Sequence, residues 1–108
     1  MSFAAGKVGQ SFSFDGVNDF VLVPSGGSIP YGNAARTVEM WVKPTVNSWV
    51  ADQNTLFEYG VAGGSQAFGL DFEPFPNIQF YSWGLDMIFN TGLSSQSDWF
   101  HLAVTHDG

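Results

Sequence analysis

Apolar residues along the chain recur at every second position or in short blocks, and Gly, Pro, Asn, Asp or Ser interrupts them about every eight to twelve residues. Such spacing marks an all-β sandwich or barrel built from short antiparallel strands. No window carries the 3.6-residue stripe of an amphipathic helix. The spacing predicts eight strands: Val8 to Phe14, Phe20 to Val23, Thr37 to Lys43, Thr55 to Tyr59, Ala67 to Phe72, Asn77 to Trp83, Leu85 to Asn90, and Trp99 to Thr105. Alternation then assigns faces, because successive side chains of a strand point to opposite sides of the sheet. Val38, Met40 and Val42 share one face and Glu39, Trp41 and Lys43 the other; Phe100, Leu102 and Val104 oppose Trp99, His101, Ala103 and Thr105. The first set of each pair is the candidate core. Two longer connections, PSGGSIPYGNAAR and PTVNSWVADQN, are the places where loops of functional length can form. There is no internal repeat, low-complexity block or linker, so residues 1–108 are expected to form a single domain.

Composition sharpens this picture. A domain of 108 residues buries roughly two-thirds of its unfolded surface, and this one must do so with 11 Phe, 4 Trp and 3 Tyr. The interior is therefore aromatic, and some rings must lie near the surface. Three Lys and Arg against ten Asp and Glu leave a formal charge of −7, with no basic face for a phosphate backbone or an anionic bilayer. Nucleic acid and membranes are excluded as expected partners. The same balance concentrates cations, which suits calcium, although acidity alone also keeps a protein soluble. Cysteine is absent, so disulfides and thiolate metal sites are ruled out and redox chemistry says nothing of compartment. MSFAAGKVGQSFSF lacks an apolar run of signal-peptide length, and no later segment approaches a membrane span. The expectation is a soluble chain without an export signal.

Three ordered motifs carry a likeness to a known family: GQSFSFDGVNDFVLVP, then RTVEMWVKP with the short LFEYG strand after it, then DWFHLAVTHDG. This order resembles the laminin-G-like branch of the concanavalin A-like lectins and glucanases, and it spans nearly the whole chain. The resemblance implies an antiparallel jelly-roll β-sandwich and an extracellular or cell-surface setting. In the family the turn matched by Asp107-Gly108 is followed by further strands. The expectation is thus a sandwich short of its C-terminal strands, with an unpaired edge on the strand ending at Thr105 that invites a second copy to pair with it. A homo-oligomer follows from that reasoning; the alternative is a smaller sandwich that closes on itself.

Asp15, Asn18 and Asp19 offer three oxygen-bearing side chains within five residues, a candidate calcium site, since calcium takes hard oxygen ligands in irregular geometry. The competing reading is a hairpin turn in which Asp and Asn side chains hold backbone N–H groups and Gly16 takes a positive φ. Asp71 and Glu73, two apart on one strand face, suggest the paired carboxylates of glycoside hydrolysis. The family's glucanases place a further acid two positions earlier, where this chain has Gly69. His101 and His106, five apart on a strand, face opposite ways and cannot share one metal. By the resemblance, His101 is a packing and hydrogen-bonding residue. No G-x-S-x-G elbow supports nucleophilic catalysis. Tyr31, Trp49, Tyr81 and Trp83 lie nearest loops or strand ends, where rings either stack on sugar faces or plug the ends of the sandwich. The reading favoured is a non-catalytic binding or adhesion module for a carbohydrate or protein ligand, calcium-assisted or not. A self-associating structural unit is second and a glycoside hydrolase third.

Overall fold

A computed structural model describes residues 1–24, 29–49, 54–64, 66–82 and 84–108. In chain order its strands are β1 (Ser2–Ala5), β2 (Gln10–Ser13), β3 (Arg36–Val42), β4 (Thr55–Gly60), β5 (Ala67–Phe72), β6 (Asn77–Tyr81), β7 (Met87–Asn90) and β8 (Phe100–His106), with one 3-10 turn at Val46–Ser48. All pairings are antiparallel: β1 with β2, β3 with β8, and the sheet β4-β5-β6-β7. This is the all-β, sandwich-type architecture that the spacing of apolar positions predicts.

β3 and β8 follow the period-2 reading. Their register sets Val38 opposite Val104, Met40 opposite Leu102 and Val42 opposite Phe100, so the apolar sets meet on one face. Trp41 and His101 oppose each other on the outer face with ring centroids 5.2 Å apart. His101 is therefore a surface residue whose ring meets Trp41 at an interplanar angle of 60°, and it lies 3.7 Å from Glu39 Oε2. Val42, Phe100 and Leu102 pack towards Phe72 and Ile78 of the four-stranded sheet, with Trp49, Leu56, Phe75 and Leu93 completing the cluster. A second aromatic group forms where Phe68 meets Phe80 at 5.1 Å and Tyr59 at 5.5 Å.

The opening of the chain departs from expectation. Phe20 to Val23 is not a strand: no described strand pairs with it and its four apolar side chains are exposed. β2 pairs instead with β1, a strand that the spacing does not predict, through a turn closed by Gly6 N–H to Gly9 O at 2.9 Å. The Phe3 and Phe12 rings meet across this hairpin, tilted by 35° with centroids 5.3 Å apart. Period-2 reading misses β1 because SFAA is short and exposed at every position, so no face is distinguished from the other.

Few side chains are fully enclosed. The buried apolar set is Trp49, Phe68, Leu70, Phe72, Ile78 and Phe100, while Phe20, Leu22, Ile88 and other large apolar residues remain exposed. The Cα radius of gyration, 14.2 Å, exceeds the roughly 13 Å of a compact chain this long. Among the described residues no helix is long and apolar enough to cross a membrane.

Candidate functional site

The four-stranded sheet has one apolar and one polar face, and a bulge decides which residues share the polar one. Thr55 pairs with Asp71, but the register then shifts so that Phe57 pairs with Leu70 and Glu58 with Gly69. The extra residue lets Leu56 turn into the core while Thr55 and Glu58 both emerge on the opposite side. Across β5 the ladder continues from Gly69 to Tyr81 and from Asp71 to Gln79. Two rows result, Glu58–Gly69–Tyr81 and Thr55–Asp71–Gln79, with Ile88 of β7 beyond Gln79.

Gly69 makes the centre of this face. A Cβ added there would lie 2.4 Å from Tyr81 Cζ, so the phenol ring rests directly on the glycine backbone. Lying across β5, the ring carries its hydroxyl to β4, where Tyr81 Oη–H donates to Glu58 Oε2. The Tyr81 hydroxyl is held protonated well above its ordinary range. Burial is the largest cause; the hydrogen bond to Glu58 and the negative charges of Asp71 and Glu58 add to it, against a smaller opposing contribution from Thr55. The result is a flat ring in a fixed orientation, bordered by two carboxylates, a hydroxyl and an amide.

The same geometry shows what stands where the sequence suggests paired carboxylates. The position that a glucanase nucleophile would need is filled by the Tyr81 ring, and any side chain at 69 would have to displace it. Glu73 stands past the end of β5, where its N–H bonds Asn77 O at 3.1 Å in the turn to β6. The carboxylate that joins Asp71 around the ring is Glu58. Sequence reading overlooks Glu58, Thr55 and Gln79, because their convergence depends on inter-strand register and on the bulge. The one available signal is a charged residue inside the otherwise apolar strand LFEYG.

The other predicted aromatic residues do not join Tyr81. Trp49 takes the plugging role that the sequence leaves open to it: it is 6% exposed, meets Phe72 and Phe75 edge-on at 4.6 and 5.1 Å, and donates its indole N–H to Gln96 O at 2.7 Å. It plugs the sandwich and has no face open to a sugar. Tyr31 is exposed at the mouth of a recess of about 20 Å³ that also involves Arg36, Tyr59, Gln66 and Phe68. That volume admits about one water. Arg36 is committed there, donating to Gly32 O and Ala34 O at 2.8 and 2.9 Å with its guanidinium 4.5 Å over Phe68. Phe68 and Gly69 point to opposite sides of β5, so Tyr31 and Tyr81 lie on different faces. Trp83 lies outside the described residues.

Asp15, Asn18 and Asp19 lie on an exposed turn. Asp15 Oδ1 accepts from Val17 N–H at 2.9 Å, Asp19 Oδ2 accepts from Asp15 N–H at 3.1 Å, and Gly16 has φ 76°. Asp19 Oδ1 pairs with the Met1 amino group, the main reason its carboxyl titrates below the ordinary carboxylate value. The side chains thus shape the turn as Asx residues do, although among the described residues no strand directly follows it to make a hairpin. Among the described residues no three His, Asp or Glu side chains gather as for a metal.

Comparison with known proteins agrees with the fold. The family profile described as the concanavalin A-like lectin/glucanases superfamily, laminin-G type, matches residues 15–108. Neither the curated proteins nor the solved structures yield a match.

Proposed function

Since the chain belongs to the concanavalin A-like lectin/glucanases superfamily, we propose that it is a non-catalytic binding module whose ligand is a carbohydrate held on the polar sheet face around Tyr81. The observation that carries this reading is the Tyr81 ring resting on Gly69, with Glu58, Thr55, Asp71 and Gln79 around it. A half-buried aromatic plane accepts the apolar face of a pyranose. Carboxylate and amide oxygens then accept hydrogen bonds from ring hydroxyls, and the Gln79 amide donates one. A ring where a nucleophile would stand is consistent with recognition without bond cleavage.

Calcium is not required by this reading, since the Asp15–Asp19 turn lies on another part of the chain and its carboxylates already accept backbone N–H groups. The test is a glycan array followed by calorimetric titration of the best ligand, with and without chelator. Gln79→Ala removes one neutral hydrogen bond from a side chain that is not buried, so affinity should fall by about tenfold with folding intact and no effect of the chelator. An array on which no glycan is retained would overturn the proposal.

A further inference from the structure

β7 is the outer strand of the four-stranded sheet, and among the described residues no strand pairs with its free edge. Its residues, Met87, Ile88, Phe89 and Asn90, are all exposed, the three apolar ones at 52%, 62% and 47%. Strand edges are ordinarily protected by charge, proline or cover, and among the described residues β7 has none of these. The opposite edge strand β4 carries Glu58, β3 carries Arg36 and Glu39, β8 carries two histidines, and the β1–β2 hairpin interleaves its phenylalanines with serine.

The hydrogen-bond alternation of the ladder shows what this edge offers. Thr91 N–H bonds Pro76 O at 2.9 Å, one step beyond the Asn77–Asn90 pair. In an antiparallel ladder every second pair is hydrogen-bonded, so Phe89 and Met87 turn their backbone groups towards β6. Ile88 and Asn90, and Asp86 before them, turn theirs outward. An antiparallel partner must set outward residues opposite outward residues, which restricts the possible registers. Only when Ile88 faces its own counterpart are all the apolar residues matched. Met87 then meets Phe89 of the second copy on one face, the two Ile88 side chains meet on the other, and each Asp86 faces an Asn90 amide. Shifting the two-fold centre to residue 87 would set Asp86 against Ile88, and shifting it to residue 89 would set Met87 against Thr91. No like charges oppose each other in the matched register, although each chain carries a formal −7.

We propose that β7 pairs antiparallel with β7 of a second copy about a two-fold axis through Ile88, joining two four-stranded sheets into one. Each outward pair exchanges both of its backbone hydrogen bonds, and the interface is isologous, as in most homodimers. The axis stands perpendicular to the sheet, so both Tyr81 faces lie on the same side and the pair is bivalent. The dimer stands whether or not that face binds glycan.

The chain has no cysteine, so a single introduced thiol can form a disulfide only between copies. Opposed Cα atoms in a hydrogen-bonded pair are about 5.5 Å apart, within disulfide reach. Ile88→Cys should therefore give mostly covalent dimer on mild oxidation. Asp86→Cys should not, because its two copies are offset by four residues, about 13 Å along the strands. Sedimentation velocity on the unaltered chain should show a concentration-dependent dimer that Ile88→Lys, with two ammonium groups face to face, abolishes without loss of β-structure by circular dichroism. A monomer at every concentration, or equal cross-linking at positions 86 and 88, overturns the proposal.

Discussion

Trp49 and Tyr81 look alike in sequence, aromatic residues close to a loop or strand end, yet the fold uses them differently. Trp49 is enclosed by Phe72, Phe75 and Phe100, and its only polar atom is satisfied by Gln96 O. Trp49→Ala should cost about 3–5 kcal/mol, a large share of a small domain's stability, and chemical denaturation will read this as a collapse of the midpoint. A stability within about 0.5 kcal/mol of the unaltered chain would contradict the core assignment. Tyr81 rests instead on Gly69, which is why that position has no side chain. Gly69→Ala should destabilise by about 1–3 kcal/mol through overpacking and lift the ring from Glu58; an unchanged melting curve would contradict this. Tyr81 also links stability to alkaline pH. The unfolded chain releases the phenol proton near 10.0, whereas the native state keeps it to higher pH. The stabilisation is therefore complete below pH 10 and falls as pH rises beyond it. Urea midpoints taken at about pH 9 and about pH 11 should drop in the unaltered chain and drop less in Tyr81→Phe; equal drops would sever the link. Tyr59, also raised by burial, supplies part of the remaining fall.

Strands whose two faces differ in environment were legible, and those whose faces do not differ were not. β3 and β8 alternate because one side meets the core and the other meets water, and the predicted face sets agree with their burial. β5 reads as a strand from its apolar run, and its buried Phe68, Leu70 and Phe72 bear this out. Phe20 to Val23 reads the same way, but apolar content alone cannot supply a partner, and those side chains stay in solvent. The bulge at Thr55–Phe57 is the decisive feature that is not legible, because it exists only in the pairing of β4 with β5. Without it strict alternation would put Thr55 and Glu58 on opposite faces, and the polar face would lose one of them. Tyr81 could be singled out from its place near a strand end; Gly69 beneath it and Glu58 beside it needed the register.

Taken whole, the molecule combines a small aromatic core with extensive exposed apolar surface. The polar face around Tyr81 suits hydroxyl-rich ligands. The β7 edge is where we propose that a second copy pairs. Fold alone does not choose among the activities carried by this superfamily; the proposed binding role rests on the filled space above Gly69 and on the groups around the ring. The most direct test is calorimetric titration of an array-selected glycan into the unaltered chain and into Gln79→Ala. Saturable binding that weakens about tenfold in the variant, at equal melting temperature, is the predicted result. No heat of binding from any glycan, or an affinity indifferent to Gln79, would contradict the assignment of the polar sheet face as the site.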